Sequence, residues 1–265
     1  AANYMRYGAV IILGGFSYAE AVGQHGTWAV GLQYAGYGSM PLADETGVIT
    51  GSFNAKDILA TGLYAHDITS SLRGGISAKL LYSSYESYSA LALFFDLGLN
   101  YYWAEKDFSL SLTLKNLGGQ LKKYESQRIS MPWDLQVGFS KTLRHAPFRI
   151  SVTAQHLNKG HLPFEKVDDE GNLKKVDKFV PNFFRHLVFG VDYIPNRNFY
   201  LAVGYDCKRK GDMATAGRRI WSGFTAGTGF RVKMFGIGVS LAQHHANGFT
   251  FMTNLTADLS PFLSR

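Results

Sequence analysis

The residues that could do chemistry in this chain are serines, histidines and one cysteine, and their spacing supports no catalytic group. Serines are frequent, but most alternate with apolar residues as one face of a β-strand would, and the G-x-S-x-G motif is absent. No Ser or Cys has a His and an acidic residue at a spacing typical of nucleophilic catalysis. His156 continues the alternating series of Val152 and Ala154, which favours a membrane interface or a partner contact. The sequence therefore predicts a protein that is not an enzyme.

Metal and cofactor sites are not predicted either. His244 and His245 form the one histidine pair, but successive strand side chains point to opposite faces and could not readily bind one ion. Cys207, the single cysteine, excludes an internal disulfide and is interpreted as a small apolar filler. The acidic segments 43–47 and 167–172 are typical of Asp/Gly turns and offer fewer oxygens than calcium requires. No glycine-rich segment precedes a helix, so no phosphate-binding loop is expected.

One loop is flanked by cations that could bind an anion. The simple interpretation is solvated loop charge, and the functional one is contact with anionic lipopolysaccharide or an acidic partner. The net charge is +7, but basic residues are scattered through turns and loop ends without a nucleic-acid-binding motif. Nucleic acid is therefore excluded as a partner. The candidate anion contacts are Lys208, Arg209, Lys210, Arg218 and Arg219.

The elements that must position these residues are strands. In "FSLSLTLKNLG", residues 108–118, Leu110, Leu112 and Leu114 alternate with polar residues, so one face is apolar and the other polar. This pattern recurs to the C-terminal end, and no helical periodicity extends beyond a turn or two. Charged residues make up 18% of the chain, below the roughly 25% of ordinary globular proteins. The longest apolar run, residues 8–16, is far shorter than the roughly 20 residues of a spanning helix.

Thirteen strands are predicted from this periodicity. Most have about 10–15 residues, which suits a tilted membrane crossing of about 9–11 residues better than an average strand of five or six. They lie near 4–22, 27–37, 52–66, 72–86, 88–103, 108–118, 132–145, 148–158, 184–194, 199–209, 218–232, 235–245 and 249–260.

The connections alternate between tight and open. Because an up-and-down meander places every second connection at the same end, one end carries short turns and the other most of the long loops. That asymmetry predicts an outer-membrane barrel with extracellular long loops and periplasmic short turns. With thirteen strands the two chain termini would lie at opposite ends of the barrel, whereas bacterial single-chain barrels normally have an even number of strands. We therefore expect a fourteenth strand, or a longer segment, missing before Ala1. A miscounted twelve-stranded barrel is the alternative. The tight connections are 23–26, 67–71, 104–107, 144–147, 195–198 and 233–234, and the open ones are 38–51, 119–131, 159–183 and 210–217.

The residue types on the polar strand face indicate whether the apolar face contacts a protein core or membrane lipid. The polar positions are mostly Ser, Gly, Ala and Thr, whereas solvent-facing strand positions usually carry charge. Small uncharged residues suit a barrel lumen, and aromatic residues gather near the strand ends as in interfacial girdles. A large soluble β-sandwich or propeller is the alternative. The sequence thus favours one all-β domain over 1–265, an up-and-down antiparallel transmembrane barrel of about fourteen strands.

Five segments together carry a family pattern. They are "GTWAVGLQYAGYG" (26–38), "DETGVITGSFNAKD" (44–57), "LLYSSYESYSALALFFDLGLNYY" (80–102), "LKNLGGQLKKY" (114–124) and "PWDLQVGFSKTLRHAPFRISVTAQHLNK" (132–159). These segments resemble the PorV/PorQ proteins of the type IX secretion system, and "KTLRHAPFRISVTAQHL" is most similar to the PorQ branch. The resemblance covers roughly residues 26–158 and brings no transferable site residue.

The resemblance implies a fourteen-stranded outer-membrane barrel related to long-chain fatty-acid transporters, without a catalytic role. Family members serve cargo translocation and surface attachment, and the PorQ-like branch is implied to hold the surface protein PorZ. The leading interpretation is therefore a non-enzymatic scaffold in outer-membrane lipid and lipopolysaccharide, bound to a PorZ-like protein and other type IX attachment components. A channel or transporter for hydrophobic solutes is the alternative.

The longest loop, residues 159–183, is the candidate docking surface. It interleaves apolar residues with charges of both signs around a turn at 170–172, which predicts a small hairpin with one apolar face. This hairpin either caps the barrel mouth or binds an exported partner. The candidate docking residues are Phe164, Lys166, Val167, Leu173 and Phe179.

Overall fold

The computed structural model describes residues 1–7, 10–44, 46–122, 132–162, 164–167, 173–176, 178–212, 221–245 and 248–263. The strands are β1 Ala2–Tyr7, β2 Ile11–Val22, β3 Gly26–Ala43, β4 Ile49–Asp67, β5 Leu72–Tyr85, β6 Tyr88–Trp103, β7 Phe108–Lys122, β8 Asp134–Thr142, β9 Phe148–Ala154, β10 Phe164–Val167, β11 Leu173–Val176, β12 Leu187–Asn196, β13 Phe199–Asp206, β14 Phe224–Val232, β15 Phe235–His245 and β16 Gly248–Ala257. A 3₁₀ turn at Ala104–Lys106 and the helices α1 Phe179–Arg185, α2 Cys207–Asp212 and α3 Ser260–Leu263 complete the elements. No helix in these ranges is long and apolar enough to cross a membrane.

Fourteen of the strands form a closed antiparallel barrel. Each pairs with its neighbours along the chain, except that β9 pairs with β12 across the inserted β10–β11 hairpin. The barrel closes where β1 pairs with both β2 and β16, so that Ala2 lies between Phe16 and Leu255. The predicted fourteen-stranded up-and-down barrel is confirmed.

The prediction that thirteen strands are readable was wrong at the N-terminal end. Residues 4–22, taken as one strand, are divided between β1 and β2, with Val10 in the turn between them. The turn-forming pair of the apolar run 8–16, Gly14-Gly15, lies within β2, and no such pair marks positions 8–10, so the periodicity resembles that of one long strand. Because β1 is the fourteenth strand, the parity argument for a strand missing before Ala1 no longer applies.

Connections are sorted between the two ends of the barrel as the alternation predicted. The short-turn end carries the turns 23–25, 68–71, 104–107, 143–147, 197–198 and 233–234, together with the first residue of β1 and the last of β16. The opposite, long-loop end carries the connections 44–48, 123–133, 155–186 and 207–223, together with the short connections 8–10, 86–87 and 246–247. Which end faces the cell exterior stays a prediction.

The apolar strand face points outward. Leu112 is 45% exposed, and Leu110, Leu99 and Phe251 are also exposed on the outer surface. Among the described residues, the apolar side chains that are buried are few: Ala55, Ala90, Ala92, Phe94 and Leu162. A water-soluble barrel or sandwich would bury its large apolar residues, so this distribution excludes the soluble alternative and is the one expected of a barrel surrounded by hydrocarbon.

A β-bulge keeps the apolar face of β7 outward along its full length. Leu114 lies opposite Leu97 and Leu117 opposite Phe95, so two β7 residues face a single β6 residue between these pairs. Asn116, one of the two, has φ 59°. The extra residue shifts the alternation by one position. The outward apolar residues of β7 therefore have even numbers up to Leu114, whereas after the bulge the outward residue is Leu117.

Candidate functional site: the barrel lumen

Two adjoining cavities follow the inner wall formed by β12–β16 and β1. One, of about 450 Å³, is lined mostly by small or apolar residues that include Met5, Val188, Ala202 and Met252. The other, of about 400 Å³, continues toward the short-turn end. Their linings share Asp192, Tyr200, Gly238 and Asn254, so the two cavities form one path along the wall.

Inward-facing glycines make this wall smooth. Gly190 of β12 pairs with Gly204 of β13. A Cβ on Gly190 would lie 2.5 Å from the Ser151 Oγ, and one on Gly204 would lie 2.5 Å from the Thr225 Oγ1. The hydroxyl side chains thus lie over their glycine neighbours instead of projecting into the lumen. We name the part of this surface that lines the 450 Å³ cavity, on the inward faces of β12–β16, the neutral wall, because its charged residue, Asp192, is paired with Arg149 at 2.8 Å.

The other side of the lumen carries charge. Lys79 of β5 is 2.7 Å from the Asp96 carboxylate of β6, and its Nζ also donates to the Asn116 Oδ1 of β7 at 2.6 Å. The backbone N–H of Asn116 donates to Asp96 at 2.8 Å, which anchors the β7 bulge. Strands β5 and β14 are seven positions apart in the fourteen-stranded ring, so the charged wall lies across the lumen from the neutral one.

A second charged group on the same wall lies nearer the long-loop end. The carboxylate of Asp57 accepts hydrogen bonds from the Tyr37 hydroxyl, at 2.6 Å, and from the Ser83 hydroxyl. These contacts join β3, β4 and β5 through their inward faces. The polar groups of the charged wall are therefore bonded to one another. The opposite side is largely uncharged along the 450 Å³ cavity and becomes charged toward the short-turn end, where Arg149, Asp192 and Arg231 line the second cavity.

At the long-loop end, α1, α2 and the β10–β11 hairpin form a platform. Helix α2 contacts α1, β10 and β12. The Arg185 guanidinium, which is buried, lies 2.5 Å from Asp212, and the Lys208 ammonium lies 2.6 Å from the same carboxylate. Burial alone would raise the pKa of Asp212, but the hydrogen bonds from Lys208 and Arg185 lower that pKa below its ordinary value. Asp212 is therefore an anionic link between the two helices at neutral pH.

The two surfaces proposed from the sequence come together on this platform. The backbone of Phe164–Val167 pairs with that of Leu173–Val176, which confirms the predicted hairpin, although its turn lies outside the described residues. Phe179 is highly exposed on α1. The cationic segment 208–210 lies on α2, which contacts β10.

The charge of the cationic segment is partly compensated. Lys208 pairs with Asp212, and the Arg209 guanidinium lies 3.9 Å from Asp206. Lys210 lies over the ring of Tyr205, with its Nζ 5.7 Å from the ring centroid. Arg218 and Arg219 lie outside the described residues. Anion binding by this segment stays a prediction.

His156 occupies a different position from the predicted one. Strand β9 ends at Ala154, and His156 follows with φ 58°. Its backbone N–H donates to the Asp134 Oδ1 at 2.7 Å, and its Nδ1 lies 3.4 Å from the same oxygen. The Asp134 carboxylate thus holds the backbone in a local turn directly after β9. The strand periodicity did not indicate this turn.

The other chemically capable residues form no reactive cluster. Cys207 begins α2 rather than continuing β13, and burial together with the nearby Asp206 carboxylate raises the pKa of its thiol, which disfavours the thiolate. Across the described ranges, no group of three or more His, Cys, Asp or Glu side chains is arranged to hold a metal ion. The side chains of His244 and His245 lie outside those ranges.

Comparison with known proteins places the chain by fold. No family model and no curated protein matches the sequence. Among solved structures, the Pseudomonas putida toluene transporter TodX aligns with a TM-score of 0.56 and 12% identity, over 97% of this chain and 86% of TodX. The Ralstonia pickettii toluene transporter TbuX gives 0.52 and 11% identity over 96% and 84% of the two chains, and a Pseudomonas aeruginosa FadL homologue gives 0.50 and 12% over 94% and 78%. The closed fourteen-stranded barrel of this chain is therefore similar in fold to these proteins.

Proposed function

We propose that this protein is an outer-membrane channel for small hydrophobic solutes and not an enzyme. The observation that carries the proposal is the cavity of about 450 Å³ along the neutral wall, which is lined largely by glycines, alanines, valines and methionines. It adjoins the more polar cavity of about 400 Å³, whose lining includes Arg149, Arg197 and Arg231 and which leads to the short-turn end. Along this cavity an apolar solute stays on the side of the lumen opposite the ion pair of Lys79 and Asp96. The charge that it passes, Asp192, is paired with Arg149 at 2.8 Å. The likeness to two toluene transporters supports the same class of cargo.

A bulky residue on the neutral wall is expected to reduce solute passage. Ala202 faces the lumen from β13, and its register partner Gly227 leaves room beside it, so Ala202→Phe should obstruct the path without entering the lipid. The measurement is the uptake of labelled toluene by cells in which this barrel is the channel that admits toluene through the outer membrane. We expect a several-fold loss of uptake.

The control for this experiment is Ala226→Phe on β14. Ala226 pairs with Val203 on the outward face, so the same enlargement should leave uptake unchanged. Equal uptake by the Ala202→Phe variant and the unsubstituted protein would contradict passage along this wall. A small sugar serves as a second probe: equally fast passage of the sugar would indicate a general pore rather than a channel for hydrophobic solutes.

A scaffold role in type IX secretion is the second candidate function. It is supported by the resemblance of residues 26–158 to PorV/PorQ proteins and by the platform, in which the hairpin is held beside α2. In this proposal the long-loop end is extracellular, and the hairpin residues Phe164, Lys166, Val167 and Leu173 bind a PorZ-like surface protein.

Deletion of the hairpin tests the scaffold role. Replacing residues 164–176 by a short flexible linker removes β10 and β11 but leaves all fourteen barrel strands and α1. Because the barrel ladder does not include the hairpin, we expect the variant to insert and keep its heat-modifiable mobility on gels. Surface retention of the partner, measured on whole cells, should fall. Normal retention would remove the hairpin from the docking hypothesis and leave the segment 208–219 to be tested.

A further inference from the structure

In helix α1 the apolar face is exposed and the polar face is buried, which is the reverse of a surface helix in a soluble protein. Phe179 is 78% exposed and Val180 is 61% exposed, and the same face continues through Phe183 and Phe184. Its other face is polar and buried: Arg185 binds Asp212, and the Asn182 Oδ1 accepts the backbone N–H of Leu162 at 2.9 Å. A helix at a water interface would present the opposite arrangement, so the apolar face requires an apolar environment.

Apart from β1, the shortest barrel strands lie beside this helix. Strand β9 has seven residues and β13 has eight, whereas β3 and β4 on the other side have 18 and 19. At ~3.3 Å per residue and ~40° tilt, seven residues span about 18 Å of barrel height, and the apolar band of such barrels is about 25 Å tall. The difference, about 7 Å, is close to the ~10 Å diameter of a helix.

The apolar face of α1 is also continuous with the outer surface of the barrel. Helix α1 leads within two residues into β12, whose outward face begins with Leu187 and Phe189. On the neighbouring strands, Tyr205 and Phe224 stack outward with ring centroids 4.7 Å apart, and Trp221 lies 6.5 Å from Phe224. Aromatic residues at this level are those that line the membrane interface.

We propose that α1 lies in the lipid leaflet at the long-loop end, with Phe179, Val180, Phe183 and Phe184 against acyl chains. In that position it completes the apolar outer surface where β9 and β13 end early. The ion pair of the buried Arg185 guanidinium with Asp212 holds the helix against α2 from the protein side. This inference rests on the proposed insertion of the barrel in a membrane, and it assigns Phe179 to lipid rather than to a docked partner.

Spin labelling tests the inference in proteoliposomes of phosphatidylcholine and phosphatidylglycerol. In a Cys207→Ala background, a nitroxide is attached at Phe183→Cys, at Leu112→Cys on the outer barrel face and at Asn196→Cys, the last residue of β12 at the short-turn end. Collision rates with oxygen, which concentrates in lipid, and with a water-soluble nickel chelate are then compared. We expect Phe183 to match Leu112, with frequent oxygen and rare nickel collisions, and Asn196 to show the reverse.

The reference positions separate the ways in which the inference can fail. If Leu112 itself is accessible to nickel, the barrel is not inserted as proposed and the inference falls with it. If Leu112 is lipid-exposed but Phe183 collides with nickel, α1 lies in water and only the inference is overturned. If the Phe183 label collides with neither reagent, the face of α1 is covered by protein, which also overturns it. Retained heat-modifiable mobility of each labelled variant shows that the barrel is folded.

Discussion

Replacing Leu112 by arginine is expected to destabilise the inserted barrel by about 2–4 kcal/mol, the penalty for a charge near the bilayer midplane on a lipid-facing position. Leu112 lies on the outward face of β7, opposite Val137 of β8, with apolar neighbours on both adjacent strands. The guanidinium would have to remain in hydrocarbon or distort the bilayer to reach water. The measurement is equilibrium folding into lipid bilayers over a denaturant series.

Ser111→Arg is the matched control for this substitution. Ser111 is the adjacent residue, and its side chain faces the lumen, where its Oγ lies 3.4 Å from the carbonyl oxygen of Gly138. An arginine there can be hydrated in the lumen, so its cost should be clearly smaller. A larger loss for Ser111→Arg than for Leu112→Arg would mean that the inner and outer faces are assigned the wrong way round.

Gly118→Ala is expected to cost about 3 kcal/mol, combining ~1–3 kcal/mol of backbone strain with ~1–3 kcal/mol from a forced shift of packed atoms. Gly118 follows the β7 bulge at φ 157°. A Cβ there would lie 2.0 Å from the carbonyl oxygen of Leu93 and 3.0 Å from the Cα of Phe94, so backbone rather than a movable side chain must give way. The same folding titration measures the effect.

The adjacent glycine provides the control. Gly119 has no atom within 4 Å of an added Cβ, so Gly119→Ala should change the free energy of unfolding by no more than a few tenths of a kcal/mol. Comparable losses of stability for the two variants would show that the β6 backbone does not approach Gly118 closely at the bulge. Since both residues lie in the same strand, differences in expression or insertion affect them alike.

The two candidate functions depend on different parts of one barrel. Solute passage depends on the neutral wall inside β12–β16, whereas the scaffold role depends on the platform at the long-loop end. The Ala202→Phe variant alters the first and leaves the hairpin intact, and deletion of residues 164–176 alters the second and leaves the wall intact. Each experiment can therefore succeed or fail independently of the other.

The sequence by itself determined the class of the fold and the direction of its faces. Alternation is a local property, because successive strand side chains point to opposite sides whatever their partners are. Leu110 and Leu112 could therefore be assigned to the outer face, and the alternation of tight and open connections indicated which turns share an end. The hairpin around 170–172 was also predictable, because its two short strands are neighbours in the chain.

Only the tertiary structure decided how the barrel closes and what its lumen contains. The division of residues 4–22 into two strands follows from the pairing of β1 with β16, a contact between opposite ends of the chain that no local pattern encodes. Likewise, Lys79 meets Asn116 across 37 positions of sequence, and Arg185 meets Asp212 across 27. These contacts depend on strand register and ring closure, which are set by all fourteen strands together, because a barrel without its last pairing would leave two edges unsatisfied in hydrocarbon.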